Sequence, residues 1–287
     1  MSVVNTNVSA SIAQAALMRN ERALGSAMEQ LSTGRKINSA GDNASGLAIS
    51  ARMTSQIRGL DQAVRNANDA ISMINTAEGA LDEVTDMLQR MRELAIQSGT
   101  GTTDSADRTS LDAEFQALIA EIDRIAENTQ WNGRDILNGT AGGATSTVAF
   151  QIGMDPTQTV SLSFGNFSDT SGKVMGSLAS ATTTLSAATI ALGITNASTA
   201  LVMTDKAIEA VSTQRATFGA VSNRLEHAID NLTNVKIQSE ASRSRILDTD
   251  YGAATSELAK AQIIQQAGTA MLAQANVMPQ TVLALLQ

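Results

Sequence analysis

Cysteine is absent from this 287-residue chain, and proline occurs only at Pro156 and Pro279. Without thiols there can be no disulfides and no thiolate zinc site, which fits a reducing cytoplasm or an exported protein that avoids disulfides. The single histidine, His227, cannot build a His-rich metal site. A lone histidine inside a predicted long helix is a surface or packing residue more often than a catalyst. Aromatic residues make up 2% of the chain, so the rings that supply much of the apolar area of compact cores are scarce. Their place is taken by Ala, Leu, Ile, Val and Met, which favours thin helical layers. Long proline-free stretches permit long helices, because an interior proline costs about 3 kcal/mol. No segment approaches the ~18 consecutive apolar residues of a membrane-spanning helix. The opening MSVVNTNVSASIAQAALMRNERAL lacks a basic stretch followed by an unbroken apolar one, so neither a secretory signal peptide nor membrane insertion is predicted.

Positive charge is also lacking. The net charge is −8, opposite to the footprint that nucleic-acid binding requires. Its distribution is uneven: residues 1–44 sum to about +1 and residues 245–287 to about −1, leaving the acidity to the chain between. Near-neutral ends suit surfaces that meet protein. Catalytic signatures are missing as well: there is no GxxxxGK[ST], GxSxG or HExxH. GTAGG (139–143) opens no helix and reads as linker, and Asp82/Glu83 and Asp104/Asp107 fall on predicted solvent faces. No enzyme and no cofactor is expected.

Apolar periodicity, by contrast, is abundant. A first helix is predicted from about Val8 to Thr33, with Ile12, Leu17, Leu24, Met28 and Leu31 on one broad side and Gly34 as its stop. INSAGDNAS (37–45) is turn-rich, and Asp42 or Asn43 can cap the second helix. In that helix Met53, Ile57, Leu60, Val64, Ala67, Ile71, Ile74, Ala77, Leu81, Val84, Leu88, Met91 and Ala95 step by four and three. The steps Ile71, Ile74, Ala77 predict one stammer there. After Gly99 and Gly101 a shorter helix resumes near Asp104, carries Leu111, Phe115, Leu118, Ile122 and Ile125, and ends at NTQWNG (128–133).

From Gly139 to Ala200 only Asp155, Asp169 and Lys173 are charged. Val148, Phe150, Ile152 and then Val160, Leu162, Phe164 alternate around the turn DPTQ (155–158), predicting a hairpin. The remainder, 168–192, reads as loop or frayed helix. A last long helix is predicted from near Asn196 to Ile246, with Val211, Phe218, Leu225, Leu232, Ser239 and Ile246 seven apart. A terminal helix runs from Ala254 to about Asn276, and Pro279 restarts a final apolar turn through Val282, Leu285 and Leu286.

The fold class expected is mainly α: an elongated helical bundle or coiled coil with paired terminal helices and a small β-hairpin region. Five segments are expected. Residues 1–44 and 248–287 form the paired ends, 45–138 and 196–247 form the bundle, and 139–195 is a short, variable, Ser/Thr-rich surface segment. The second, third and fourth helices pack together with the hairpin at their far end, away from the termini. The first helix, rich in Ala, Gln, Asn and Ser, would be marginal alone, so the ends are expected to be largely disordered in a free monomer and to fold on assembly.

Four segments carry a family resemblance. LSTGRKINSAGDNASGLAISARMTSQIRGL (31–60), RNANDAISMINTAEGALDEVTDMLQRMRELAIQS (65–98) and NTQWNGRDILNG (128–139) resemble the N-terminal signature of bacterial flagellin, and residues 224–287 resemble its C-terminal signature. Together the resemblance covers residues 1–139 and 200–287, and the short middle is similar to the compact flagellins of alphaproteobacteria. It implies a secreted, extracellular subunit that leaves the cell unfolded through the flagellar type III export apparatus, escorted by a flagellin chaperone. It also implies polymerisation with itself, beneath a filament cap and beyond hook–filament junction proteins, into a hollow helical filament used as a propeller.

Within that picture the terminal helices form the inner tube, and Ile12, Leu17, Leu24, Met28, Leu31, Leu258, Ile264, Leu272, Val282, Leu285 and Leu286 are the assembly residues. Leu17, Leu24 and Leu31 are expected to pair with Ile264, Leu272 and the Val282–Leu286 turn. The hairpin is expected on the outer part of the bundle. The resemblance further implies that Gln89, Arg90, Arg92, Glu93, Leu94 and Glu114 form a protofilament contact. The same surface is read, in receptor-activating flagellins, by the flagellin-sensing Toll-like receptor, with Arg90, Leu94 and Glu114 leading. Rival readings are a hook–filament junction protein, which shares paired terminal coils, and an adhesive or glycan-bearing module built on the Ser/Thr-rich middle. An inserted protease finds neither histidine nor length in that middle.

Overall fold

The computed structural model describes residues 7–143, 145–168 and 194–284, the side chains of 194–195 and 278–284 excepted. The elements, in order, are α1 (Val8–Thr33), α2 (Ala44–Ser98), α3 (Ser105–Asn128), β1 (Gln130–Trp131), β2 (Arg134–Asp135), β3 (Thr147–Gln151), β4 (Thr159–Ser163), α4 (Ile194–Leu247) and α5 (Tyr251–Ala284). The chain divides into two compact units: a terminal unit, Met1–Ile57 with Ile237–Gln287, and a central unit, Arg58–Lys236. The division falls inside α2 and α4, beyond the turns near residues 44 and 248 where the sequence pattern breaks. The stretch 169–193, which includes most of the segment read as loop or frayed helix, lies outside the described residues.

In the central unit α2 and α4 run antiparallel, as the ion pairs Lys236–Asp61 at 2.7 Å, Arg215–Glu78 at 2.8 Å and Arg92–Asp205 at 2.6 Å require. Their seam is continuous. On α2 the buried steps run Ala67, Ala70, Ile74, Ala77, Leu81, Val84, Leu88, Met91 and Ala95, alternating three and four as a coiled-coil seam does. The expected stammer is therefore not there. Ala70, not Ile71, occupies the seam, and Ile71 packs half-buried beside it. A pattern read by side-chain bulk steps to the isoleucine, whereas close helix approach selects the alanine. Two successive steps of three fall instead at Ile57, Leu60 and Ala63.

Helix α3 supplies the third layer through Phe115, Ile119, Ile122 and Ala126. At 1.5 Å per residue it spans about 36 Å, against about 60 Å for the part of α2 in this unit. The remaining groove is closed by sheet. β3 and β4 pair antiparallel with Val148 opposite Leu162 and Phe150 opposite Val160, the alternation expected. Val160 and Leu162 are buried, each contributing about 1.5–3 kcal/mol relative to exposure.

The position of this hairpin differs from expectation. Its turn puts Met154 against Gly59, where an added Cβ would stand 3.3 Å from the Met154 Cβ, and Asn66 Nδ2 donates to Gln151 O at 2.9 Å. At the other end Gln214 donates to Ser163 O, and Phe164 packs on Phe218 with ring centroids 5.4 Å apart. The hairpin thus runs along α2 and α4 toward the Asp61–Lys236 end rather than capping the end at Ser98. The reason is the length of α3: the apolar seam it leaves bare must be covered by something.

A second, shorter hairpin, β1–β2, was not expected. Its turn residues Asn132 (φ 51°) and Gly133 (φ 74°) both take the left-handed conformation that an Asn-Gly turn favours. The loop after it buries Ile136, Leu137 and Ala141.

In the terminal unit, Asn7 Oδ1 accepts from Ala10 N to start α1, and Gly34 at φ 69° ends it with its N–H on Gln30 O. Asn43 Oδ1 accepts from Gly46 N and caps α2, while Asp42 Oδ2 accepts from the N–H groups of Asn38 and Ser39. Those backbone donors, Ser39 first and then Asn38, hold the Asp42 carboxyl below its ordinary range. The connection on the other side is laced to this turn by Lys36 N donating to Leu247 O and Thr249 N donating to Gly34 O. Asp250 Oδ1 then accepts from Gly252 N, so α5 starts at Tyr251 rather than Ala254. Its backbone continues through Pro279 to Ala284, correcting the expected restart there.

Candidate assembly surface

Helices α1 and α5 pair within the chain. Asn7 Nδ2 donates to Ala275 O and Asn20 Nδ2 to Ala261 O, each at 2.8 Å, and Thr249 Oγ1 donates to Gln30 O at 3.4 Å. These partners run in opposite directions along the two helices, so the pair is antiparallel. The residues turned from solvent on α1 are Ala10, Ala13, Leu17, Asn20, Leu24, Ala27 and Leu31; on α5 they are Ala254, Leu258, Ala261, Gln265, Gly268, Leu272 and Ala275. Both sets alternate three and four without interruption, the seam of a two-stranded coiled coil.

The seam is thin. Of these positions only Asn20, Ala27, Ala254 and Ala261 are buried, and the leucines are half-buried. Small side chains let the helices approach: a Cβ on Gly268 would lie 3.1 Å from Leu17 Cδ1. The disorder expected of the ends is not a feature of this conformation. Both are helices held by few apolar atoms and two asparagine side chains.

Three of the predicted assembly residues, Ile12, Met28 and Ile264, do not join the seam. They stand 63%, 56% and 44% exposed, on faces that α1 and α5 turn away from each other. The reason is geometric: a seam alternating three and four from Ala10 passes through Leu17, Leu24 and Leu31 but misses residues 12 and 28. Within the chain, Leu17 is faced by Gly268. Leu258 and Leu272 lie on the seam. Val282 falls in α5 with its side chain undescribed, and Leu285 and Leu286 lie outside the described residues.

Ile263, Met271 and Val8, not singled out from the sequence, are more than half exposed beside these. The signal that could have found them is the same seam: once Leu258, Ala261 and Leu272 are assigned inward, isoleucine and methionine are left uncovered among the described residues.

The predicted contact surface on the central unit is partly assembled. Arg90 Nη1 bonds Glu93 Oε2 at 3.0 Å and its Nη2 bonds Glu114 Oε1 at 2.9 Å, while Arg92 holds Asp205. The hydrogen bonds that Arg90 donates to Glu93 first, and then to Glu114, stabilise its charged guanidinium and raise its pKa. Gln89 is exposed beside them. Leu94 does not belong to this surface. It is fully buried in the bundle core beside the α2 seam residues Met91 and Ala95, so no partner can touch it directly. Among the described residues no group of His, Asp and Glu is arranged to hold a metal, and no helix is long and apolar enough to cross a membrane.

Comparison with known proteins agrees with this architecture. Residues 4–142 match the bacterial flagellin N-terminal helical region and residues 201–286 match the C-terminal helical region, leaving 143–200 outside both. The chain is 46% identical over 261 residues to a flagellin of Halalkalibacterium halodurans, covering 91% of each. It is 44% identical over 302 residues to a flagellin of Bacillus subtilis, covering 99% of each. It shares its fold with a putative flagellar hook-associated protein from Vibrio parahaemolyticus at a TM-score of 0.59, with 14% identity over 72% of this chain and 100% of that one. The hook-associated likeness shows shared architecture, while the identity to the flagellins extends over nearly the whole sequence. The chain belongs to the bacterial flagellin family, the structural subunits of the extracellular flagellar filament.

Proposed function

We propose that the terminal unit is the assembly element of this filament subunit, its exposed apolar side chains covered by neighbouring copies of the chain. The observation that carries this is the exposure of Ile12, Met28, Ile263, Ile264 and Met271 around a seam too thin to bury them. A contact between two different surfaces of identical subunits, repeated without closing, builds a helical fibre. Covering the α1–α5 pair then couples its consolidation to polymerisation, at an ordering cost of roughly 2–5 kcal/mol, which restrains assembly before export. In this reading the chain leaves the cell unfolded through the flagellar export apparatus with a chaperone, and adds beneath a cap onto junction proteins at the hook.

The exposed Arg90–Glu93–Glu114 cluster serves as a contact between protofilaments. In a free subunit the same charges are open to the flagellin-sensing receptor, with Leu94 acting only by supporting the helix beneath them. Negative-stain microscopy of purified protein after induced polymerisation tests the reading. Long tubes are expected; a persistent monomer under conditions that assemble a known flagellin would refute it. A reporter-cell assay with purified monomer tests the receptor reading separately, and a signal abolished by Arg90→Ala is the expected result.

A further inference from the structure

We propose that Met18, Met28 and Met271 are peroxide-sensitive modification sites whose oxidation gates polymerisation. The inference rests on the reading that the uncovered apolar faces of the terminal unit meet other copies of the chain. The three thioethers stand 51%, 56% and 64% exposed, whereas Met73 and Met91 in the central core are 1% and 0% exposed. Met18 lies two residues from Asn20, whose side chain bonds Ala261 O, and so shares the level of the exposed Ile263 and Ile264. Met271 lies four residues from Ala275, the partner of Asn7, at the level of the exposed Val8 and Ile12. Both methionines, like Met28, stand on exposed faces that α1 and α5 turn from their shared seam, the faces that association would cover.

The chemistry is a two-electron oxygen transfer. A sulfur lone pair attacks one oxygen of hydrogen peroxide, the S–O bond forms as the O–O bond breaks, and the second oxygen leaves as water after proton transfer. Sulfur is oxidised to the sulfoxide and peroxide is reduced. The product replaces a flexible apolar side chain by a polar one, and burying that dipole without a partner opposes association. Reactivity tracks exposure, so the monomer is the vulnerable form and the polymer shields its own methionines. The chain has no cysteine to intercept the oxidant first.

The test uses the purified full chain, dilute hydrogen peroxide, peptide mass mapping and elongation from preformed filament seeds. Untreated protein must elongate the seeds; if it does not, the filament reading fails and not this one. Treated protein is expected to carry oxygen at Met18, Met28 and Met271 ahead of Met73 and Met91, and to need about tenfold more monomer to elongate. Methionine sulfoxide reductases should restore elongation, which an irreversible or purely structural lesion would not permit. The variant Met18→Leu/Met28→Leu/Met271→Leu keeps these faces apolar but removes the sulfur, so its elongation after peroxide should equal its own elongation before treatment. Normal elongation by wild-type protein bearing all three sulfoxides overturns the proposal, and so does equal loss of elongation in the triple variant.

Discussion

The two units solve the same packing problem with different materials. In the central unit Leu81, Leu88, Met91, Phe115, Phe164 and Phe218 are fully buried, and α3 and the β3–β4 hairpin together roof the groove between α2 and α4. In the terminal unit the paired helices meet through alanine, glycine, two asparagines and half-buried leucines. The largest fully buried side chains of the described residues all belong to the central unit. Among the described residues the central unit closes over its own core, whereas the terminal unit has a seam but no roof. The distinction between them is how much apolar surface is left for another molecule.

The contrast is broken most severely by a charge in the terminal seam. Leu24→Asp should abolish filaments while the helical circular dichroism of the monomer stays close to wild type, because the central bundle is untouched. Filaments of normal length from that variant would contradict the assignment. The reciprocal change, Leu88→Ala, opens a cavity in the closed core and should lower monomer stability by about 2–5 kcal/mol, measured by urea unfolding. A small loss there would mean that the central core relaxes around voids and is not closed.

A milder change separates packing from charge. Arg215→Ala removes the bonds to Glu78 and Asp82, and because these groups are partly solvated the loss should stay near 0–1 kcal/mol, well below that of Leu88→Ala in the same unfolding experiment. The smallest effect concerns the connecting turn. Asp42 has a folded-state pKa lowered from 3.8 by the Ser39 and Asn38 N–H groups. Its contribution is present above that ordinary value and is lost as pH falls through the lower, folded one. NMR titration of the Asn38 and Ser39 amides should show a midpoint below 3.8 that vanishes in Asp42→Asn; a midpoint at or above the ordinary value would remove the turn's role.

Much of this contrast is legible from residue spacing. The boundaries of α1, the four-three rhythm of α2 and the register of the long hairpin are set by apolar periodicity, because bulky residues mark buried positions wherever a core is thick. Where the packing is thin the same signal misleads. Ala70 outranks Ile71 on the α2 seam, and Asn20, Ala27, Ala261 and Gly268 form the α1–α5 interface while Ile12, Met28 and Ile264 face outward. At such seams backbone approach and a side-chain amide on a carbonyl matter more than bulk, and neither stands out in an apolar pattern. The hairpin's location was hidden for another reason: it depends on where α3 stops relative to α2, a tertiary length mismatch. Asn132-Gly133 did carry a turn signal, but strands as short as β1 and β2 have no alternation to accompany it.

Hydrogen–deuterium exchange on the same preparation, as monomer and as filament, tests the central claim most directly. The account predicts fast exchange across α1 and α5 in the monomer and strong protection in the filament, with the α2 segment around Leu81–Leu88 and the α4 segment around Phe218 protected in both. Terminal helices already as protected in the monomer as the central core would contradict it.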